Sequence, residues 1–239
     1  MQSINRHLSE ETLPHPCECR ACWLGRIAYD TAFDLQKRLW AQRLQGLIGD
    51  TLLLLEHPPT LTLGKSGKLE NLLVPQEELA RQGVALFFTD RGGDVTYHGP
   101  GQLVAYPIID LTRRGKDIHR YVHDLQEVVV RTLADYGVAG RRDDRYVGVW
   151  VGDDKIAAIG VAVHKWVSTH GLALNVSPRM EHFSLINPCG IRDRGVTSLS
   201  RLLGRGVPVD EVARRLAQHF ATVFDARLRW LDHDGLEGD

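Results

Sequence analysis

The stretch Val147-Gly-Val-Trp-Val-Gly-Asp-Asp-Lys-Ile-Ala-Ala-Ile-Gly-Val-Ala-Val163 decides the fold class. Two apolar runs, Val147–Val151 and Ile156–Val163, flank Gly152-Asp153-Asp154. Glycine and aspartate tolerate the positive backbone dihedrals of a tight turn, so this reads as an antiparallel hairpin. Leu172–Val176 reads as a third strand. Upstream, Ile118, Tyr121, Val122, Leu125, Val128, Val129, Leu133 and Tyr136 recur at helical spacing and stop at Gly137. Tyr29, Ala32, Phe33, Leu39, Trp40, Leu44 and Leu47 write another helix, and Val209, Val212, Leu216, Phe220 and Val223 a last one. Between them lie short strands at Leu52–Leu55, Leu61–Leu63, Ala85–Phe88 and Leu103–Ile109. Helices alternate with strands, which favours parallel pairing, yet a hairpin is present. The expectation is therefore an α/β (α+β) single domain whose mixed sheet is flanked by helices. Residues 1–22 read as an N-terminal extension, 23–225 as the main folded domain and 226–239 as a peripheral tail.

The 239 residues carry 29 basic and 30 acidic side chains, a net charge of −1, with 43% hydrophobic content. That composition excludes a disordered chain and gives no bulk attraction to nucleic acid or anionic membranes. Leu52–Leu55 typifies the apolar runs, all far short of the ~20 residues a membrane span needs. The opening MQSINRHLSEET has no apolar signal core, so a cytoplasmic protein is expected. Of four cysteines, Cys17, Cys19 and Cys22 cluster while Cys189 stands alone, which is no disulfide framework. The one-residue gap between Cys17 and Cys19 is too short for a zinc knuckle, so incidental or redox-sensitive thiols are expected there and no metal. His119 and His123 sit four apart on a helix without a third ligand and read as solvated.

Gly64-Lys65-Ser66 imitates the end of a phosphate-binding loop, but the glycine required five positions earlier is Pro59. The segment Arg91-Gly-Gly-Asp-Val-Thr-Tyr-His-Gly-Pro-Gly-Gln102 holds four glycines, with Thr96, Tyr97 and His98 interleaved. It reads as a substrate-binding loop in which a ligand lies against exposed amides, although a long turn has the same glycines. Cys189, in Asn187-Pro188-Cys189-Gly190, is alone an ordinary small hydrophobe. Lys155, beside a turn, is alone an ordinary solvated lysine. Small residues nearby change the balance. Ala158, Gly160, Gly171 and Ala173 on neighbouring strands leave a narrow apolar slot, and a slot beside a thiol and an amine suits an acyl chain.

Taken together, HPPTLTLG (57–64), RGGDVTYHGPGQLVAYPIIDL (91–111), KIAAIGV (155–161), WVSTHGLALNV (166–176) and FSLINPCGI (183–191) resemble the lipoyl(octanoyl) transferases of lipoate biosynthesis. The resemblance implies the fold shared with biotin and lipoate protein ligases, and an acyltransferase without a cofactor. It implies that octanoyl passes from acyl carrier protein to a lysine of a lipoyl domain, in 2-oxoacid dehydrogenase complexes or in the glycine cleavage H protein. Carried over by motif, Cys189 is the nucleophile that forms an acyl-thioester and Lys155 its acid/base partner. Arg91, Gly92, Gly93, Asp94, Val95, Thr96, Tyr97 and His98, with Ala158, Ile159, Gly160, Gly171, Leu172, Ala173 and His57, form the acyl site. The expected molecule is a monomer without nucleic-acid or membrane partners.

Chemistry supports that reading. A thiol of pKa ~8.5 is only a few per cent thiolate at neutral pH, so it gains from a neighbouring amine that takes its proton. At ~0.8 kcal/mol per buried methylene, an octanoyl tail contributes about 5 kcal/mol. The rivals are an ATP-dependent ligase on the same fold, which needs no nucleophilic cysteine, and a non-catalytic carrier-binding module. Arg113-Arg114 with Lys116, or Arg141-Arg142 with Arg145, are candidate docking cations for acidic carriers.

Overall fold

The structure is a computed structural model in which residues 17–187 and 194–236 are described. Eleven strands and five helices alternate along those residues: β1 (Cys17–Arg26), α1 (Tyr29–Leu44), β2 (Asp50–Glu56), β3 (Thr60–Leu63), α2 (Gln76–Arg81), β4 (Ala85–Phe88), β5 (Val95–His98) and β6 (Gln102–Ile108). Then follow α3 (Ile118–Ala134), β7 (Val149–Val151), β8 (Asp154–His164), β9 (Val167–Asn175), β10 (Gly195–Val196), α4 (Leu199–Leu203), α5 (Val209–Val223) and β11 (Ala226–Leu231).

The large sheet runs β10-β8-β9-β6-β2-β1-β11, with β7 also paired to β8. The expected hairpin is present: β7 and β8 are antiparallel around Gly152 and Asp153. β2–β6, β6–β9 and β8–β9 are antiparallel, while β1 is parallel to both β2 and β11. The sheet is therefore mixed. It is buried on both faces, which explains the unbroken Leu52–Leu55 run. Leu52 and Leu54 pack beneath α3 and α5, whereas Leu53 and Leu55 pack beneath α1. A small sheet, β4-β3-β5, has its own satellite core with Leu79 of α2.

Two boundaries need correction. The limit drawn at Cys22 cuts through β1, and the tail from Ala226 forms β11, which pairs with β1 from Cys17↔Ala226 to Cys22↔Leu231. Parallel pairing joins distant segments, and no turn between them announces it. The cysteine cluster is explained by the same strand. Side chains alternate across a sheet, so Cys19 enters the core under α3 and α5, and Cys22 the core under α1. Burial raises the Cys19 thiol to about 12 and the Cys22 thiol to about 11, which makes redox-sensitive behaviour unfavourable. Among the described residues, no three His, Cys, Asp or Glu side chains converge as metal ligands. His119 and His123 are both exposed.

Candidate active site

A cleft opens between the β8–β9 strands and the glycine-rich segment that borders the small sheet. The non-atom space between its walls, open solvent at the mouth included, is about 510 Å³. Its walls include Arg91, Gly92, Gly93, Thr96, His98, Lys155, Ala158, Ile159, Gly160, Gly171, Leu172 and Ala173. Twelve sequence-assigned residues therefore converge on one cavity.

Lys155 lies at the start of β8, 7% exposed, with Nζ 4.9 Å from the centre of the buried Trp150 ring. The ring face fixes the position of the lysine tip. Lys155 and Ala158 are three residues apart, which in a regular strand would place them on opposite faces. The register of β7 against β8 shifts between Val149 and Trp150, leaving Ile156 as an extra residue. This bulge re-aims the strand so that both side chains face the cleft. Ala158 pairs with Ala173, and Gly160 with Gly171, across β8–β9.

The two alanines provide the floor of the slot, but the glycines do a different job. A Cβ at Gly171 would lie 2.2 Å from the Ala105 carbonyl oxygen, and one at Gly160 would lie 2.8 Å from that of Gly92. Glycine here permits close backbone packing. The Gly92 N–H in fact donates to the Val161 carbonyl at 2.9 Å, joining the glycine segment to β8.

The block Arg91–His98 splits by role. Arg91 donates from Nη2 to the carbonyls of Thr62 (2.6 Å) and Asp94 (2.8 Å), and from Nη1 to that of Gly92 (3.0 Å). It thereby staples the segment to β3. Asp94 does not line the cleft. Its carboxylate accepts from the backbone N–H groups of Lys68 (3.1 Å) and Val95 (2.8 Å) and from the Asn71 amide. Part of this loop is the strand β5, antiparallel to β3. Alternation sends Thr96 and His98 to the cleft and buries Val95 and Tyr97 in the satellite core, so those two are not wall residues.

His57 also stands behind the wall. Its Nδ1 lies 2.9 Å from the Ile27 carbonyl and its Nε2 2.9 Å from the Tyr106 hydroxyl. A carbonyl only accepts, so Nδ1 carries the proton and the Tyr106 hydroxyl donates to Nε2. Burial pushes the His57 imidazole down to about 4 and holds His98 well below its ordinary value, keeping both rings neutral.

Four wall residues escaped the sequence assignment: Tyr29, Tyr106, Val147 and His170. In sequence Tyr29 reads only as part of a helix face. Tyr106 and His170 lie inside the motif blocks without a role. The available signal was a polar-tipped ring within an otherwise buried strand. His170 donates its backbone N–H to Gln36 Oε1 at 2.7 Å, and its Nε2 lies 2.8 Å from Asp90 Oδ1. The other Asp90 oxygen meets His164 Nε2 at 2.9 Å. The His170 hydrogen bond leads the causes that hold the Asp90 carboxyl well below the usual range.

Cys189 lies outside the described residues. The chain around its segment is fixed on both sides. The Asn187 N–H donates to the Asn71 carbonyl (2.8 Å), and Gly195–Val196 pair with Asp154–Lys155.

The lipoyl protein ligase A/B catalytic-domain model matches residues 28–221. The chain belongs to this family. It is 51% identical over 218 residues to an octanoyltransferase of Caldicellulosiruptor saccharolyticus, covering 90% of this chain and 93% of that one. It is 54% identical over 207 residues to an octanoyltransferase of Chloroflexus aggregans, covering 85% and 94%. Among solved structures, a lipoate-protein ligase A bound with ATP superposes with a TM-score of 0.74 at 19% identity, over 92% of each chain. A biotin protein ligase from Aquifex aeolicus gives 0.50 at 13% identity, over 86% of this chain and 68% of that one. The expected ligase-type catalytic fold is thus borne out. Among the described residues, no helix is long and apolar enough to cross a membrane.

Proposed function

We propose that this family member, an acyltransferase acting in lipoate biosynthesis, moves octanoyl through an acyl-thioester on Cys189, with Lys155 as acid/base partner. The donor is octanoyl-acyl carrier protein. The acceptors are lipoyl domains of 2-oxoacid dehydrogenase complexes and the glycine cleavage H protein, in the cytoplasm, and the enzyme works as a monomer.

The observation carrying this reading is the position of Lys155. It is buried at one end of an apolar slot, and the chain leaving the Cys189 segment pairs directly with it as β10. In the first half-reaction, Lys155 takes the thiol proton. The Cys189 sulfur then bonds to the carbonyl carbon of the carrier thioester, and the carrier's carbon–sulfur bond breaks. The departing thiolate recovers the proton. One thioester replaces another, so the step is nearly balanced. In the second half-reaction the neutral acceptor amine attacks the acyl-Cys189 carbonyl. The carbon–sulfur bond breaks, an amide forms, and Lys155 relays the amine's proton to the leaving sulfur. The slot holds the acyl chain throughout and contributes binding energy remote from the reacting carbon.

Intact-protein mass spectrometry after incubation with octanoyl-acyl carrier protein tests the pathway. The expected result is a single octanoyl adduct, absent from Cys189→Ala, with transfer to a lipoyl domain lost in both Cys189→Ala and Lys155→Ala. Near-normal turnover by Cys189→Ala would sink the mechanism.

A further inference from the structure

The cleft has an open end and a closed end. Val147, 54% exposed, stands at the mouth. It adjoins Gly148, where an added Cβ would lie 3.2 Å from Lys155 Cε, so the mouth and the lysine share one end. Along β8 the wall then passes Ala158 and Ile159 to Gly160. Beyond Gly160 stand the ring residues of the wall. Tyr29, Tyr106, His98 and His170 are all buried, and His170 sits opposite Val161 in the sheet register, one pair past Gly160↔Gly171.

These rings form a connected cluster. Tyr29 lies 5.2 Å from His57 and 6.2 Å from His98, His57 lies 5.6 Å from His98, and Tyr106 lies 6.2 Å from His170, edge to face. Each ring is pinned from behind or from the side: Tyr106 by His57, His98 by Gln102 at 2.8 Å, His170 by Asp90, and Tyr29 by Phe87 at 5.0 Å. A wall so held is rigid, because packed rings do not yield to one more methylene without cost. Its two tyrosine rings are uncharged at neutral pH, since burial keeps the phenols protonated. An alkyl terminus can therefore lie against them.

We infer that the ring wall of Tyr29, Tyr106 and His170 is the stop that sets acyl-chain length, with Tyr106 as its principal specificity-determining residue. The inference rests on the acyl-slot reading proposed above and adds where the chain ends. An octanoyl terminus meets the rings while its carbonyl stays at the Lys155 end. A longer chain must withdraw its carbonyl toward the mouth.

The test uses the full chain with hexanoyl-, octanoyl-, decanoyl- and dodecanoyl-acyl carrier protein, measuring kcat/KM for transfer to a lipoyl domain. Tyr106→Val removes ring volume and is expected to raise the decanoyl-to-octanoyl ratio at least tenfold. Tyr29→Leu is expected to act in the same direction, and Tyr106→Trp in the opposite one, favouring hexanoyl. An unchanged chain-length profile in the variants that keep octanoyl transfer and a wild-type melting temperature overturns the inference. Tyr29→Leu and Tyr106→Trp serve as the independent readings if Tyr106→Val fails to fold. Failure of the slot itself looks different: Ala158→Leu and Ala173→Leu would then leave octanoyl transfer intact.

Discussion

At the residue scale, His57 shows how far a motif can carry a role and where geometry must take over. The histidine of His57-Pro58-Pro59 was assigned to the acyl site from its motif. It holds Tyr106 at the cavity wall without reaching the cavity itself. Its burial makes a pH prediction. The folded ring titrates near 4, whereas an unfolded histidine titrates near 6.5. Between those values the unfolded chain binds more protons than the native one, so stability rises with pH. The contribution of a neutral His57 is complete above pH 6.5 and falls away as pH drops toward 4, by about 3 kcal/mol in all. Buried His98 adds to the same slope. Urea unfolding of wild type and His57→Gln at pH 4.5 and 7 measures it. The variant is expected to lose less stability than wild type on acidification, and parallel losses would show that His57 is protonated in the fold. Lys155 was legible from its K-I-A-A-I-G block, but the Trp150 face beneath it was not. The two are brought together by a strand register that a bulge shifts, and periodicity does not reveal such an irregularity.

At the element scale, the strands and helices with clean periodicity were readable: α1, α3 and α5, the Leu52–Leu55 strand, and the β7–β8 hairpin. What escaped has physical causes. β5 hides its alternation of Val95 and Tyr97 with Thr96 and His98 between glycines, which dominate any reading by composition. β1 and β11 are polar at alternate positions and lie parallel, more than two hundred residues apart in sequence at Cys17↔Ala226. Neither has a turn or a neighbouring strand in sequence to mark it. β11 covers one edge of β1, and an uncovered edge strand is an aggregation hazard. Ending the chain at Asp225 would uncover the main-chain donors and acceptors of β1 and remove Leu228 and Leu231 from the two cores they flank. At roughly 2–3 kcal/mol for such lost burial, the melting temperature is expected to fall by about 5–10 °C. Far-ultraviolet circular dichroism melts compare the two chains. A truncated protein melting with the full chain would restore the peripheral reading of this segment.

At the scale of the whole molecule, charge and fold each leave the chemistry undetermined. The near-zero net charge is reproduced locally. Arg142 pairs with Glu127, Arg141 with Asp143, and Arg114 binds the Phe224 carbonyl, so these candidate docking cations already have intramolecular partners. The same backbone architecture supports a ligase bound with ATP, at 19% identity. A fold hosts more than one way of activating an acyl group. What separates them is where the energy of the new amide comes from. A ligase begins with a free acid, whose hydroxyl is a poor leaving group until adenylation replaces it. In the proposed transfer a carrier thioester arrives already activated, and exchange onto Cys189 keeps that activation until the acceptor amine arrives. ATP then has no bond to make or break. Transfer from octanoyl-acyl carrier protein to a lipoyl domain is therefore expected to run at the same rate with and without ATP and magnesium. Free octanoate with ATP and magnesium should give no modified lysine. A modification that appears only with free acid and ATP would make this chain a ligase, and would leave Cys189 without a step to perform.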